Sequence, residues 1–497
     1  MNVGKIIKED AEKYGDKPAI IFKEKEISFR GLYSRVNKMS NAMIKTGIKK
    51  GDRVAIYLTN SPEYVISYLA AFNIGAVATP LDTVLKRDGL ISLLNHSEAK
   101  LLITRPSKAF SPEDLLDGIP SLKDIIINGE GEGRVRSFDS IMLSEPDDRP
   151  DVEIRDEDPS VLQYSSGTTG VPKGILWNYR HLDAAPKIMD YFWKFNDRDV
   201  KLSAVPFSHS GGLVYLQNCI AFGITLVLMD RFSPLAFLKN IERYGVTCFH
   251  IVPSMFIAML QLKDFEKFDL SSLRCVTVFG APSEPELLEK FGEKCPQAVL
   301  MSGYGLTETA PPNTLHPLNR VKRGSVGMAA PWTDMKIFDT DDQEAPTGEV
   351  GEIVFKGWVV MEGYYKEPQL TSEVMSNGWF HTGDMGKVDE DGYLYIVGRE
   401  KDMILVGGLV VYSIEVEGVI NNHPGVVESG VIGIPDKLRG EVVKALVVPK
   451  AGESLKEKEI IAYCKEKLES FKVPKEVEFR DSLPKTTSGK IEKRSLR

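Results

Sequence analysis

"YSSGTTGVPKG", residues 164–174, puts three glycines, four serine or threonine hydroxyls, one proline and one lysine into eleven positions. A segment so poor in large side chains cannot fill a core. Backbone N–H groups turn toward a phosphate only where bulky Cβ groups are absent, and Gly167 and Gly170 supply that freedom. Ser165, Ser166, Thr168 and Thr169 add hydroxyl donors, and Lys173 adds a cation. A Walker A loop requires GxxxxGK[ST], whereas Gly170 is followed here by Val171, Pro172 and Lys173. An ordinary P-loop NTPase fold is therefore excluded. On composition alone, a flexible surface turn remains the alternative. The second glycine run, "NGEGEGR" (128–134), serves as a control: its glutamates repel phosphate, and it reads as a plain loop.

On the N-terminal side of this segment, to about residue 140, helix-like and strand-like text alternates. "FRGLYSRVNKMSNAMIKTG" (29–47) has apolar residues at helical spacing, with Gly47 as a stop. "DRVAIYL" reads as a strand. "SPEYVISYLAAFNIG" reads as a helix with Ser61 as N-cap and Pro62 in its first position. Such alternation predicts parallel sheet covered by helices. The acidic, proline-punctuated stretch 143–160 reads as a linker before the strand "VLQYSS". A second α/β stretch is expected from there to about residue 330, with "ITLVLMD", "VTCFHIVP" and "LRCVTVFG" as strands. From about 332, "DMKIFDT", "GEIVFKG" and "GYLYIVG" predict a small β-rich unit. The last hundred residues are mixed, with a helix expected over "LKEKEIIAYCKEKLESF" and a boundary near "GREKD" (398–402).

Length and composition set further bounds. The 497 residues suggest roughly two to four folding units. Hydrophobic content is 42% and charged content 27%, the balance of a soluble protein. The formal net charge of −8 offers no field for nucleic acid, and the short basic C-terminus lacks an aromatic platform. The start has no signal-peptide pattern, and no run approaches the ~18 apolar residues of a membrane span. Five scattered cysteines without CxxC spacing read as reduced thiols, mostly core filler, and point to a cytoplasmic protein. The seven histidines form no HxxxH pattern, so a protein-held transition metal is not expected.

Six segments carry a resemblance: "YSSGTTGVPKG", "YGLTETA" (304–310), "GEIVFKG" (351–357), "FHTGD" (380–384), "GREKDMILVGG" (398–408) and "PKTTSGKIEKR" (484–494). In text and order they resemble the adenylate-forming enzymes, the superfamily of acyl-CoA synthetases, peptide-synthetase adenylation domains and luciferases. The resemblance covers the whole chain and is strongest to acyl-CoA synthetases. It implies an α/β fold with a large N-terminal domain (1–398) of two α/β subdomains plus a small β-rich subdomain. A hinge (399–401) and a small, mobile α+β C-terminal domain (402–497) would follow.

The implied reaction is attack of a carboxylate on the α-phosphate of ATP, giving acyl-AMP and pyrophosphate, then transfer of the acyl group to a thiol. Two anions must meet, so positioning and positive charge are the remedy. The resemblance implies that residues 165–173 cradle the departing phosphates, Glu308 binds Mg²⁺ and Thr307 meets the α-phosphate. Asp384 would accept from both ribose hydroxyls and Arg399 would help hold the nucleotide. Gly280, Ala281 and Pro282 would wrap adenine, and Tyr304 would stack on it. Lys490 would bridge the carboxylate and the α-phosphate. Lys401 would act as the hinge for the second half-reaction, with Gly407 and Gly408 lining the thiol's approach.

Amino-acid-activating relatives place an aspartate near the start of the segment matching "PFSHSGG" (206–212). Here Phe207, Ser208 and His209 stand there, favouring a plain carboxylic acid. His209 matches a position that gates or lines the acyl pocket; a hydrogen-bonded loop histidine is the alternative. "GGLVYLQN" could line an acyl channel or form a core helix. After "VGG" the chain reads "LVVYS" where many relatives carry a polar or basic residue and a proline, so the resemblance does not fix the pantetheine contacts, and coenzyme A follows from it less firmly than adenylation. Coenzyme A is the expected acceptor, since no carrier domain follows Arg497. A discrete carrier protein's pantetheine is the alternative, and a nucleotide binder without turnover is a third reading. Homo-oligomerisation is left open.

Overall fold

A computed structural model of the protein describes residues 2–165, 172–280, 285–485 and 491–496. The helices begin and end where their sequences provide for it. Helix Pro62–Asn73 starts with the Ser61 hydroxyl accepting from the Tyr64 amide. Helix Phe29–Lys45 is capped in the same way by Ser28, and Gly47 follows at φ +84°. The chain forms two compact units. The first comprises residues 1–279, 287–321 and 357–373; the second comprises 280–286, 322–356 and 374–497.

Among the described residues, the first unit contains two large sheets. One runs, in spatial order, Gly363–Tyr364, Lys173–Asn178, Pro159–Ser165, Val77–Pro80, Arg53–Tyr57, Leu101–Thr104, Asp124–Ile127 and Val135–Ser137. It is parallel from Pro159–Ser165 onward, while Lys173–Asn178 and Gly363–Tyr364 pair antiparallel. The other runs Val299–Ser302, Cys275–Val278, Cys248–Ile251, Val200–Ser203, Thr225–Leu228, Pro18–Phe22 and Lys25–Ser28. The predicted alternation of strand and helix thus yields parallel sheets, but the division of strands between them departs from reading order. "VLQYSS" belongs to the first sheet, and the N-terminal Pro18–Phe22 pairs with Thr225–Leu228 in the second. Local pattern specifies that a strand forms. The choice of partner depends on tertiary packing.

The second unit holds an antiparallel sheet of Asp334–Phe338, Gly351–Lys356, Met375–Ser376, Trp379–Val388 and Leu394–Arg399. A second sheet is built from Met403–Val406, Leu409–Tyr412, Val426–Asp436, Gly440–Pro449 and Glu476–Phe479. Side chains along this sheet alternate between two cores, as the pleat requires. Val431, Val443, Ala445 and Val447 pack under helices Ser413–Asn421 and Glu457–Lys465. Ile432, Leu446 and Val448 pack on the other face against Leu483, Ile491 and Leu496 from the C-terminal tail. The helix expected over 455–471 is shorter, spanning Glu457–Lys465, because Leu468 and Phe471 leave the helical path to pack against the same core. All five cysteines are free and buried, as expected of core filler.

Candidate active site

The lysine of the opening stretch sits at a strand start. Ser165 ends its strand, Lys173 begins the next, and the two are register partners. Ser166, Gly167, Thr168, Thr169 and Gly170 lie outside the described residues. Strand Lys173–Asn178 pairs on its other side with Gly363–Tyr364, which brings the Tyr364 ring 5.1 Å from Lys173 Nζ. The Tyr364 hydroxyl donates to Glu308 Oε1 at 3.1 Å. Burial, reinforced by the Glu308 carboxylate, pushes the Tyr364 phenol well above its ordinary range, so it stays protonated and remains a donor.

Thr307 and Glu308 stand on a single 3₁₀ turn, Thr307–Thr309. The turn is tied down from several sides. The Thr309 hydroxyl lies 2.5 Å from Asn313 Oδ1, Trp177 Nε1 donates to the Thr307 carbonyl at 2.8 Å, and the Met361 amide donates to the Glu308 carbonyl at 2.8 Å. The Thr307 hydroxyl lies 3.1 Å from the Ser210 hydroxyl. Ser210 opens helix Ser210–Phe222, and His209 precedes it at the N-cap position, with Nε2 3.1 Å from Asp82 Oδ2. Tyr304, half-buried, bridges to Thr314 just ahead of the turn. Ser165, Lys173, Tyr304, Thr307, Glu308 and His209 thus belong to one unit, and a chain of direct contacts links Lys173 through Tyr364 and Glu308 to Ser210.

This oxygen-rich set (the Glu308 carboxylate and the Thr307 and Ser210 hydroxyls) is of the hard-donor type that suits Mg²⁺ carried in on a nucleotide. Among the described residues no three His, Cys, Asp or Glu side chains gather into a metal cage.

In the second unit, Asp384 faces Arg399 across strands Trp379–Val388 and Leu394–Arg399, and Arg399 Nε lies 2.7 Å from Asp384 Oδ1. Asp384 is 4% exposed. It lies on an irregularity: Glu352 pairs with Met385, but Val354 pairs with His381, leaving 382–384 opposite one residue. Such a bulge re-aims side chains at strand ends. Glu352 holds the bulge, accepting from the Gly383 amide at 2.7 Å and lying 2.7 Å from His381 Nδ1. Gly280 follows strand Cys275–Val278 at φ +85°; Ala281 and Pro282 lie outside the described residues.

Lys401 is central in the 3₁₀ turn Glu400–Asp402, between strands Leu394–Arg399 and Met403–Val406. Gly407 (φ +61°) and Gly408 (φ +85°) form a two-residue hairpin loop joining Met403–Val406 to Leu409–Tyr412, a turn that needs positive φ at both positions. Lys490 lies outside the described residues; the described chain before and after it is anchored. Lys485 and Ile491 form an antiparallel bridge, Lys485 pairs with Glu428 at 2.8 Å, and Lys493 pairs with Glu417 at 2.8 Å and meets Ser413 at 2.5 Å.

Sequence reasoning missed Asp82, Trp177, Ser210 and Tyr364. None carries a local signature: Tyr364 reaches Glu308 across 56 positions, and Asp82 reaches His209 across 127. "GGLVYLQN" lies within helix Ser210–Phe222, and its residues from Gly212 onward are buried.

Residues 7–365 match the pattern of the AMP-binding enzymes, and residues 415–490 that of the AMP-binding enzyme C-terminal domain. A long-chain-fatty-acid–CoA ligase of Bacillus subtilis is 34% identical over 99% of this chain and 93% of its own. A feruloyl-CoA synthase of an Amycolatopsis species is 35% identical over 95% of this chain and 93% of its own. Among solved structures, the anthranilate CoA ligase AuaEII, in complex with anthranoyl-AMP, superposes with a TM-score of 0.93 at 28% identity. It covers 100% of this chain and 96% of that one.

Proposed function

The chain belongs to the AMP-binding enzyme family, and we propose that it is an ATP-dependent, AMP-forming carboxylic acid–CoA ligase. The reaction runs in two halves: acid and ATP give acyl-AMP and pyrophosphate, then the thiol of coenzyme A displaces AMP. The observation that carries this reading is the linked set Lys173–Tyr364–Glu308–Thr307–Ser210, which gathers a cation, a carboxylate and hydroxyls around one tight turn.

In the adenylation half, Lys173 and the hydroxyls from Ser165 to Thr169 offset the charge of the β- and γ-phosphates. The Thr307 hydroxyl donates to an α-phosphate oxygen. Asp384, aimed by its bulge and braced by Arg399, accepts from the two ribose hydroxyls, matching two donors to two carboxylate oxygens. Gly280, Ala281 and Pro282 border the adenine, and Tyr304 stacks on it. Lys490 supplies the cation between the incoming carboxylate and the α-phosphate. Glu308 is the residue that would hold Mg²⁺, with Tyr364 fixing its orientation; the ion would supply charge neutralisation on the triphosphate.

For the second half, residues 402–497 turn about 399–401. Lys490 withdraws and the Gly407–Gly408 loop borders the thiol's path. The absence of a carboxylate among Phe207, Ser208 and His209 supports a plain acid over an α-amino acid. The five buried free thiols support a reducing, cytoplasmic setting. ATP–pyrophosphate exchange over a panel of carboxylic acids, followed by CoA-dependent AMP release, tests the reading. Exchange without CoA-dependent turnover would favour a carrier-protein acceptor, and no exchange with any acid would overturn it.

A further inference from the structure

The adenylation centre and the interior behind it are joined by one helix. Ser210, whose hydroxyl meets Thr307, is followed by Gly211, and the Gly211 carbonyl accepts from His250 Nε2 at 2.8 Å. A Cβ at Gly211 would meet Val205 Cγ1 at 3.7 Å, an ordinary contact. Gly211 therefore stands between the hydroxyl that meets Thr307 and the His250 ring.

That ring is locked in place. It stacks on Tyr215, one helical turn beyond Gly211, with centroids 3.8 Å apart and planes 22° apart. The Tyr215 hydroxyl holds the His250 backbone from both sides, receiving from its amide at 2.7 Å and donating to its carbonyl at 2.5 Å. Phe279 packs edge-on to His250 at 5.7 Å, and Gly303 has no space to give, since a Cβ there would lie 2.2 Å from the Phe279 ring.

Behind Tyr215 lies a second obstacle. Lys201 is 1% exposed, with Nζ 5.5 Å from the Tyr215 ring centroid, 4.3 Å from that of Phe195, and 4.0 Å from Met189 Sδ. A long alkyl chain would have to displace both a stacked aromatic pair and a buried amine. Burial and the Lys201 charge pull His250 down to about 3, so it is neutral and Nε2 is available to donate to Gly211.

Resting on the ligase reading above, we propose that the His250–Tyr215 pair closes the acyl pocket one helical turn from Thr307. The preferred acid is then short: a few carbons or a single compact ring. One turn of helix is about 5.4 Å, a depth that excludes a long fatty acyl chain.

Pyrophosphate exchange by the wild-type enzyme with acetate, butyrate, hexanoate, benzoate, dodecanoate and palmitate tests this directly. The best of the first four acids should exceed palmitate in kcat/KM by at least about tenfold. His250→Ala should narrow or invert that ratio by a similar factor, raising dodecanoate or palmitate. If His250→Ala does not fold, His250→Asn keeps a donor in a smaller volume, and the same shift is required of it. A wild-type preference for palmitate overturns the inference while leaving the ligase reading intact. A folded variant with unchanged preference removes His250 from the role. Exchange with none of the acids overturns the ligase reading, and this inference with it.

Discussion

Arg399 Nε lies 2.7 Å from Asp384 Oδ1 across an antiparallel strand pair, and the aspartate is 4% exposed. A buried charge is stable only when paired and hydrogen-bonded. Here the pairing also orients an oxygen acceptor at a bulge, as the proposed recognition of the ribose diol would require.

Asp384→Asn keeps the shape of the side chain but removes the charge. Hydrogen bonds to charged groups contribute about 1.5–3 kcal/mol, so the Kd for ATP should rise roughly ten- to hundredfold. Calorimetric titration with ATP checks this. Unchanged affinity would take Asp384 out of the nucleotide site.

Tyr364→Phe deletes the hydroxyl that donates to Glu308 at 3.1 Å. Glu308 is the proposed Mg²⁺ ligand, and losing the partner that orients such a carboxylate weakens metal affinity about 10–100-fold. The Mg²⁺ concentration giving half-maximal exchange should therefore rise, with kcat at saturating Mg²⁺ much less affected. An unchanged Mg²⁺ profile would show that the hydroxyl serves only packing.

These two cases mark what the sequence could and could not disclose. Asp384, Thr307, Glu308 and Lys401 could be proposed from sequence because each sits in a contiguous motif whose text is distinctive. Tyr364 and Asp82 could not, because their contacts with Glu308 and His209 exist only once segments far apart in sequence come together. The same division holds for the fold. Ser61 and Pro62 announce a helix start within four residues of chain, and the structure has it. Nothing local tells Pro18–Phe22 to join Thr225–Leu228, a partner some two hundred positions away. The apolar stretch "GGLVYLQN" is ambiguous for a related reason: it is a core helix whose first turn also touches Thr307, through Ser210.

Asp10 offers a test of stability against pH. It lies on helix Val3–Tyr14, is 9% exposed, and its Oδ2 has no hydrogen-bond partner. Burial, opposed by Lys13 and Lys17 and aided by Glu9, raises it from 3.8 to about 7. The unfolded chain releases this proton near 3.8 and the folded chain near 7, so between these values the folded state binds more protons. Stability contributed by the protonated group is therefore full below about pH 4, falls as pH rises toward 7, and is lost above it. Asp10→Asn should melt about 2 °C or more above wild type at pH 8, with the gap closing near pH 4. Parallel melting curves at all pH values would contradict the burial argument.

Lys490→Ala should lower pyrophosphate exchange about 10²–10³-fold, the loss expected for one preorganised donor at a developing charge. Its neighbours Lys485 and Lys493 are already committed to Glu428 and Glu417, so neither can substitute without breaking an ion pair. Thioester formation from a supplied acyl-adenylate should persist in the same variant. Undiminished exchange would remove Lys490 from the first half-reaction.

Lys401 tests the alternation of the two halves. The chain passes from the sheet ending at Arg399 to the sheet beginning at Met403 through the 3₁₀ turn Glu400–Asp402, so a rotation of residues 402–497 must be absorbed by a few dihedrals there. Proline fixes φ near −65° and removes that freedom. Lys401→Pro should leave pyrophosphate exchange within about twofold of wild type while cutting CoA-dependent AMP release by at least about tenfold. The two assays share enzyme, acid and ATP, so the comparison is internal to one preparation. If both rates fall by the same factor, the proline has damaged the fold or the turn does not rotate, and a melting curve decides between those. A normal melt with matched losses would mean that the two half-reactions share one arrangement of the C-terminal residues.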